Sequence, residues 1–410
     1  MTFDAARVIA DLRALADLTG GPAGARRLCW TDEWVAARGF LRERLAELPV
    51  SVDVDEAGNL WAVLEGARPE TVVVGSHVDS VPNGGWLDGA LGVLAALEVL
   101  RDVAADGTPP VTLALVDWAD EEGARFGRSL FGSSAVAGTL DPDAVRDLTD
   151  SAGTRLEDVV REHGVELDRA HEAGSRLEHV RAYLELHIEQ GPVLEGEGLA
   201  VGTVLGTVGV ERHRVVFNGQ AAHAGSTPID QRRDSFLAAS RFALELREVA
   251  RRHQGVCTVG DARCEPGVVT AVPGRTTLLV DQRNLAAGEL AEMLAEMRDA
   301  AERAAEAERC TVEFEHLWRI DPIPFDGELV AAATAACREV AGSERQLPSG
   351  PLHDAAEMAR RVPTVMIFSS STNGLSHTKE EDTPVEHLEL AARAYGSTAR
   401  TAIERCADRA

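Results

Sequence analysis

The stretch that decides the fold reads Val72-Val73-Val74-Gly75-Ser76-His77-Val78-Asp79. Continuous apolar runs of this kind are typical of buried parallel strands, and ligands bind in the crevice beyond the carboxyl ends of such strands. A histidine and a carboxylate follow the apolar run directly, and Asp88 comes soon after them in Gly84-Gly85-Trp86-Leu87-Asp88-Gly89. The pattern predicts an α/β fold with one imidazole and two carboxylates at the end of a buried strand.

Three other predicted strands also end in groups that can bind a metal ion or move a proton. The strand predicted at 111–116 is followed by Asp120-Glu121-Glu122, the one at 183–187 ends in His187, and the one at 362–368 is followed by Ser376-His377. The carboxyl ends of parallel strands converge at one edge of a sheet. We therefore expect these side chains to meet in one crevice.

The segment 207–320 differs in pattern from the rest of the chain. A chain of 410 residues is longer than one hydrophobic core usually supports, which suggests two domains. We predict a discontinuous main domain, 1–206 and 321–410, with a mainly parallel mixed sheet flanked by helices, and an inserted α+β domain, 207–320. The periodicity of the insert predicts the β-α-β-β-α-β order of a ferredoxin-like layer, with strands at 208–217, within 267–284 and at 311–318, and helices at 232–252 and 289–308.

The composition argues against several classes of protein. Lys and Arg number 41 against 67 Asp and Glu, a net charge of -26, and nucleic-acid binding needs a basic surface. The N-terminus lacks a basic start followed by an apolar stretch, and no run reaches the roughly eighteen apolar residues of a membrane span, so we predict neither a signal peptide nor a membrane partner. The six cysteines are scattered without a C-x-x-C pair, which favours the reducing cytoplasm.

The residues at the strand ends form a donor set suited to two metal ions. The mixture of imidazole and carboxylate fits zinc or manganese, and cobalt or nickel are also compatible. Asp79, two residues after His77, is predicted to bind the other ring nitrogen of that histidine. Glu121 is left over as the candidate general base, which takes a proton from water and passes it to the leaving nitrogen. The candidate ligands are His77, Asp88, Glu122, His187 and His377.

Each of these residues also has an ordinary structural explanation. A single histidine such as His77 is more often a structural residue than a ligand, and Glu121-Glu122 alone would be a solvated pair. Their coincidence at matching strand ends is what favours the metal site. For His353, in Gly350-Pro351-Leu352-His353-Asp354-Ala355, a role near the site and a purely structural role both remain open.

With these motifs the chain resembles the M20 family of binuclear metallohydrolases, and in particular its amidase branch of N-carbamoyl-L-amino acid hydrolases, allantoate amidohydrolases and β-ureidopropionases. The resemblance implies a catalytic domain that uses the five ligands named above, with Asp88 bridging two ions and Glu121 as the base. It also implies a lid domain through which two subunits form a homodimer. The motifs that carry it are 75–82, 88–93, Glu121-Glu122-Gly123-x-Arg125-Phe126, Leu186-His187-Ile188-Glu189-Gln190-Gly191-Pro192, His223-Ala224-Gly225-Ser226-Thr227-Pro228 and Ser376-His377.

The resemblance further implies roles for three residues that the pattern alone does not reveal. His223 is implied to reach the active site of the partner subunit and to stabilise the oxyanion of the tetrahedral intermediate. Gln190 and Arg283 are implied to hold the substrate, with Arg283 pairing in a bidentate way with its carboxylate.

The chain departs from the family pattern at positions around the substrate pocket. Thr270 stands where an asparagine that contacts the substrate is usual. The loop usually written Gly-Ala-Gly-His-Asp-Ala contains Pro351 and Leu352 here, and Ser134 replaces a common arginine or lysine. None of these positions belongs to the metal ligands or the base, so the reaction class is better defined than the substrate.

We therefore expect a cytoplasmic, homodimeric, two-metal amidohydrolase that cleaves a linear C–N bond of a small amide or ureido substrate bearing a carboxylate. An N-carbamoyl-L-amino acid is the default substrate. The alternatives are the same chemistry on allantoate, on an N-acyl amino acid or on a specialised biosynthetic amide, and a non-catalytic binding protein on this scaffold. The native metal and an open or closed lid are not decided by the sequence.

Overall fold

Residues 3–409 are described by a computed structural model of the chain. They fall into two units, one formed by 3–205 and 325–409 and the other by Gly206–Pro324. None of the helices described is long and apolar enough to cross a membrane.

The N-terminal part of the first unit alternates helices with buried strands. The first two helices begin where the sequence offers caps: the side chain of Asp4 accepts the N–H of Arg7, and that of Thr31 accepts the N–H of Trp34. The helices are α1 (Ala5–Thr19), α2 (Asp32–Leu45), α3 (Ala90–Ala105), α4 (Phe131–Ala137), α5 (Pro142–Val145), α6 (Leu156–Glu162) and α7 (Val193–Gly196). The strands are β1 (Gly20–Gly21), β2 (Gly24–Ala25), β3 (Ser51–Val54), β4 (Leu60–Leu64), β5 (Thr71–His77), β6 (Thr112–Trp118), β7 (Val180–Ile188) and β8 (Val201–Thr207).

The second unit is an antiparallel sheet covered by two helices. Its sheet has the strand order β11-β13-β9-β14, and all neighbours in it are antiparallel. Its own core includes Phe217, Phe242 and Met297. The elements are β9 (Gly209–Asn218), β10 (Ala222–His223), α8 (Ser235–Arg252), β11 (Val256–Glu265), β12 (Ala271–Val272), β13 (Arg275–Asn284), α9 (Ala287–Ala307), β14 (Thr311–Ile320) and β15 (Ile323–Pro324).

The second strand of this layer lies outside the segment in which the sequence predicts it. The prediction places the two middle strands within 267–284, whereas β11 ends at Glu265 before that segment begins. β11 is an edge strand whose residues alternate between half-buried and exposed. Because neither of its faces is fully buried, the strand lacks the apolar signal on which the prediction rests.

The C-terminal part completes the sheet of the first unit with α10 (Gly327–Ala341), β16 (Gln346–Ser349), α11 (Asp354–Ala359), β17 (Thr364–Ser369) and α12 (Val385–Arg409). The strand order is β8-β17-β7-β5-β6-β4-β3, and β16 also pairs with β8. The central neighbours β17, β7, β5 and β6 are parallel, and the strands on both sides of them are antiparallel. The predicted α/β class with a parallel sheet centre flanked by helices is confirmed.

The register of the parallel strands sets the position of the site. His77 is the partner of Trp118 across β5 and β6, and His187 is the partner of Phe368 across β7 and β17. The carboxyl ends of four strands therefore lie along one edge of the sheet. Helix α3 begins after Gly89, which has φ 63°. A Cβ at that position would lie 2.3 Å from the ring of His77, so only glycine allows the chain to turn here.

Candidate metal centre

The structure brings the five candidate ligands together at this edge. Ligand atoms of His77, Asp88 and His187 all lie within 4.8 Å of one another, and so do those of Asp88, Glu122 and His377. Asp88 is common to both groups. Two adjacent cation sites that share one carboxylate are therefore available.

The two oxygens of Asp88 face different groups. Oδ1 lies 3.2 Å from Nε2 of His187 and 3.7 Å from Nε2 of His77. Oδ2 lies 3.4 Å from Nε2 of His377, which is also 3.4 Å from Oε2 of Glu122. A carboxylate that presents one oxygen to each of two donor sets is the arrangement of a bridging ligand in two-metal hydrolytic sites.

The histidine tautomers suit metal binding. Nδ1 of His187 lies 2.9 Å from the carbonyl oxygen of Ile188, and Nδ1 of His77 lies 3.2 Å from the carbonyl oxygen of Asp79. Each Nδ1 donates to its carbonyl, so Nε2 is the ring nitrogen that faces the carboxylates and could bind a cation once any proton on it is displaced. Nε2 of His77 is buried without a hydrogen-bond partner among the described residues. A divalent cation would satisfy this atom, so the donor set fits such an ion.

Asp79 connects the histidine ligand with the loop that carries the two glutamates. One of its carboxylate oxygens lies 3.4 Å from Nδ1 of His77. The carboxylate also accepts the backbone N–H groups of Glu121 (3.3 Å) and Glu122 (3.2 Å). The aspartate is in position to orient His77, the candidate base and the candidate ligand at once.

Burial and mutual repulsion shift the pKa values of the carboxyl groups. Burial, followed by the charge of Asp354, raises the pKa of Glu121 well above its usual value. Burial, followed by the charge of Asp88, raises the pKa of Glu122 to about 10. Oε2 of Glu121 lies 3.7 Å from Nε2 of His77, next to the first ligand group. These carboxyls hold protons in the metal-free protein that a cation would displace.

The pKa values of Asp88 and His187 shift so that each group favours its charged form, because the two groups form an ion pair. Burial opposes the ionisation of Asp88, but hydrogen bonds with His187 and His377 outweigh it and keep the pKa of Asp88 well below its usual value. Burial likewise opposes the charge on His187, but Asp88 raises the pKa of that histidine to about 9.

These shifts predict how the stability of the metal-free protein depends on pH. Glu121 and Glu122 keep protons in the folded state that the unfolded chain releases near its ordinary carboxyl pKa, so stability falls as pH rises above that value. The contribution of protonated His187 is also lost as pH rises through about 9. We expect the chelator-treated protein to melt at a lower temperature at about pH 8.5 than at about pH 5.5.

The measurement is thermal unfolding across this pH range with and without Mn²⁺. The increase in melting temperature caused by Mn²⁺ should grow with pH, because the cation competes with fewer protons. A metal-free protein that becomes more stable as pH rises would contradict the raised pKa values.

Two residues to which the sequence analysis gave no role of their own hold Asp88. Oε1 of Glu381 accepts the N–H groups of Leu87 (3.1 Å) and Asp88 (3.0 Å). Oγ of Ser376 lies 2.9 Å from Oδ2 of Asp88 and 3.0 Å from Oε2 of Glu381. Both residues belong to the loop that carries His377. Ser376 stands in the motif Ser376-His377, whereas closeness to that histidine was the only available signal for Glu381.

Gln190 contacts the same carboxylate. Its Nε2 donates to Oδ2 of Asp88 (2.8 Å) and to Oγ of Ser376 (3.0 Å), and its backbone has a φ of 56°. The structure thus places the amide of Gln190 beside the candidate bridging ligand, within reach of a molecule bound there.

His353 lies beside the candidate ligands. It is buried, and its ring centroid lies 4.4 Å from that of His187. Burial, followed by the charge of His187, lowers the pKa of His353 well below its usual value. In the same loop Leu352 is half-buried and Pro351 is exposed. Ser134 is buried in α4, and its Oγ accepts a hydrogen bond from Arg128 (3.2 Å).

The other residues with an implied role belong to the second unit. Nδ1 of the exposed His223 accepts the N–H groups of Gly225 (3.1 Å) and Ser226 (3.2 Å). Nε of Arg283 donates to Asp281 (2.8 Å). Thr270 is exposed, and its carbonyl oxygen accepts the N–H of Ala224 (2.9 Å).

Comparison with known proteins gives one family. The model of peptidase family M20/M25/M40 matches residues 73–401. The chain is 36% identical over 380 residues to an allantoate amidohydrolase of Escherichia coli (strain K12), covering 91% of this chain and 92% of that protein. It is 38% identical over 364 residues to an N-carbamoyl-L-amino acid amidohydrolase of Geobacillus stearothermophilus, covering 87% and 88%. A crystal structure of an amidase of the hydantoinase/carbamoylase family from Burkholderia multivorans superposes with a TM-score of 0.84 at 32% identity, covering 97% and 98%.

Proposed function

Because the chain belongs to peptidase family M20/M25/M40, we propose that it is a two-metal amidohydrolase that cleaves a linear C–N bond of a small amide or ureido substrate. An N-carbamoyl-L-amino acid is the first candidate substrate. The observation that carries the proposal is the pair of ligand groups that share Asp88. The resemblance to the amidase branch drawn from the motifs is confirmed by the relatives.

The metal centre is proposed to use His77 and His187 in one group, Glu122 and His377 in the other, and Asp88 in both. Two divalent ions bound there, zinc or manganese in the first instance and cobalt or nickel as alternatives, would polarise the scissile carbonyl and lower the pKa of water. The remaining chemistry belongs to side chains of the protein.

Glu121 is proposed as the general base. It would take a proton from the attacking water and deliver it to the leaving nitrogen as the C–N bond breaks, so that no charge is left on the departing amine. Its carboxylate lies beside the first ligand group, with Oε2 3.7 Å from Nε2 of His77, which suits a base that serves water held at the metal centre. The N–H of Glu121 is bound by Asp79, which supports the assignment of Asp79 as the residue that aligns this base with His77.

Residues of the second unit are proposed to complete the site when a lid closes. Arg283 would exchange its pairing with Asp281 for the substrate carboxylate, and His223 would donate a hydrogen bond to the oxyanion in the partner subunit. The hydrogen bonds on Nδ1 of His223 support this role, because they leave Nε2 to carry the proton.

The second unit is also proposed to form the homodimer. Exposed apolar side chains on α8, namely Phe236 (47% exposed), Leu237 (46%) and Leu244 (74%), support an interface there. The cytoplasmic location stays a prediction from the cysteine pattern.

The choice of substrate depends on positions where the chain departs from its family. The relatives named above act on allantoate or on N-carbamoyl-L-amino acids according to their names. Thr270 cannot offer the amide of the usual asparagine, and Pro351 and Leu352 make the loop next to His353 bulkier and stiffer than the family pattern. A site that lacks one hydrogen-bonding group can discriminate strongly between related substrates. Allantoate, N-acyl amino acids and specialised amides therefore belong in the same assay.

The test is removal and return of the metal with a substrate panel. Chelator treatment should lower hydrolysis to background, and Mn²⁺ or Zn²⁺ should restore it. We expect N-carbamoyl-L-amino acids to give the highest kcat/KM among carbamoyl, acyl and ureido substrates. Metal-loaded protein that hydrolyses no member of the panel would instead favour a non-catalytic binding protein on this scaffold.

A further inference from the structure

Buried charged side chains hold both peptide groups of Val78, the residue between His77 and Asp79. The N–H of Val78 donates to Oδ1 of Asp117 (2.8 Å), and its carbonyl oxygen accepts from Nε of Arg27 (2.6 Å). Asp117 and Arg27 are both 0% exposed. The segment that carries the first candidate ligand is therefore fixed from two sides.

Arg38, on α2, anchors Asp117. Its Nε donates to Oδ2 of Asp117 (2.7 Å), its Nη2 to the carbonyl oxygen of Asp117 (3.0 Å), and its Nη1 to the carbonyl oxygen of Gly58 (2.6 Å). The guanidinium also stacks 3.9 Å from the ring centroid of Trp34. Arg38 is 7% exposed. One oxygen of Asp117 is thus bound to Arg38, and the other remains free to hold Val78.

Stability alone does not explain a pair this deeply buried. The loss of hydration on burying two charges offsets most of their attraction, and apolar replacements of similar volume are often no less stable. The pair gives the Val78 N–H a fixed, charged acceptor at the end of β5. This acceptor holds the backbone where the chain leaves β5 and enters the loop that leads to Asp88.

We propose that Arg38 and Asp117 are positioning residues that hold the segment His77-Val78-Asp79 for divalent-cation binding. The inference rests on the metal centre of the proposed function. A shift of Val78 moves the His77 ring directly. The same shift moves Asp79, which holds the N–H groups of Glu121 and Glu122, so the disturbance reaches both ligand groups.

Two double variants test the proposal. R38M/D117N keeps an acceptor for the Val78 N–H but loses the arginine that anchors it. R38M/D117L loses both the acceptor and the arginine. Because both partners are replaced, neither variant leaves Arg38 or Asp117 as an unpaired charge. Mn²⁺ is titrated calorimetrically into chelator-treated protein well below the melting temperature of each variant. We expect affinity to fall about tenfold in R38M/D117N and about 100-fold in R38M/D117L, the range found when residues that orient metal ligands are removed.

The matched control is Arg44→Met, on the same helix. Arg44 donates to Asp11 (2.7 Å), which also pairs with Arg101 (2.8 Å), so the variant removes a comparable contact without leaving an isolated charge. It should bind Mn²⁺ like the wild type. The proposal is overturned if the folded double variants keep wild-type affinity, or if Arg44→Met loses as much.

The outcomes also separate this inference from the proposed function. A wild-type protein that binds no Mn²⁺ refutes the metal centre itself, whereas equal binding by wild type and variants refutes only the positioning role. If R38M/D117L does not fold, the comparison of R38M/D117N with wild type and Arg44→Met still decides.

Discussion

Glu121→Gln should lower kcat by about 10²- to 10⁴-fold, the usual contribution of a general acid–base group, while the bound metal stays unchanged. The substitution keeps the size of the side chain and its backbone contact with Asp79. It removes only the ability to accept a proton and return it. The measurement pairs steady-state kinetics on the preferred substrate with metal analysis of the same preparation.

A matched control is Glu178→Gln, which makes the same chemical change on an exposed residue. This variant should keep wild-type kcat and metal content. If Glu121→Gln retained near-normal turnover with its metal bound, Glu121 would not be the base and the proposed mechanism would be wrong. Loss of metal together with activity would instead make Glu121 a ligand.

Asp88→Asn should abolish activity by removing the residue common to the two ligand groups. Asparagine has nearly the same shape but carries no charge and offers a single oxygen, whereas a bridging position needs one donor for each ion. We expect Mn²⁺ affinity to fall by at least about 100-fold, which is the upper end of the effect for residues that only orient ligands. Calorimetric titration and metal content after desalting would measure it.

Asp382→Asn is the control for this variant. Asp382 follows His377 on the same loop, is exposed, accepts a hydrogen bond from Trp86 (3.3 Å) and belongs to neither ligand group. It should bind two ions like the wild type. An Asp88→Asn protein that still held two ions per chain would show that the two groups do not share a bridging ligand.

The central strands could be predicted because burial on both faces leaves a clear mark in the sequence. All residues of β6 and β17 are buried, and so are all residues of β5 except Thr71. The edge strand β11 has no such run of apolar residues in its sequence. The alternation of apolar and polar residues in its sequence is broken by Gly260, Asp261 and Arg263, and the strand is held by its backbone pairing with β13. The periodicity of apolar residues reflects burial, so it does not reveal strands that are fixed mainly by backbone pairing.

Some residues of the candidate site could be predicted from a local sequence pattern, and others could not because their contacts are with distant parts of the chain. His77, Glu122, His187 and His377 could be placed together because each lies at the carboxyl end of a strand or in the loop that follows it. Glu381, Arg27 and Asp117 act by binding backbone N–H or carbonyl groups of distant loops, as Glu381 does with Leu87. Such contacts impose no spacing on the sequence.

The order of the strands limits what a growing chain can do on the ribosome. β7 and β8 are synthesised well before β17, which lies between them in the finished sheet. Residues 206–324 emerge in the interval, and as a contiguous segment with their own core they can fold first, since domains generally fold as units during synthesis. His377 emerges later still. The nascent chain therefore cannot bring all five candidate ligands together until residue 377 has left the ribosome.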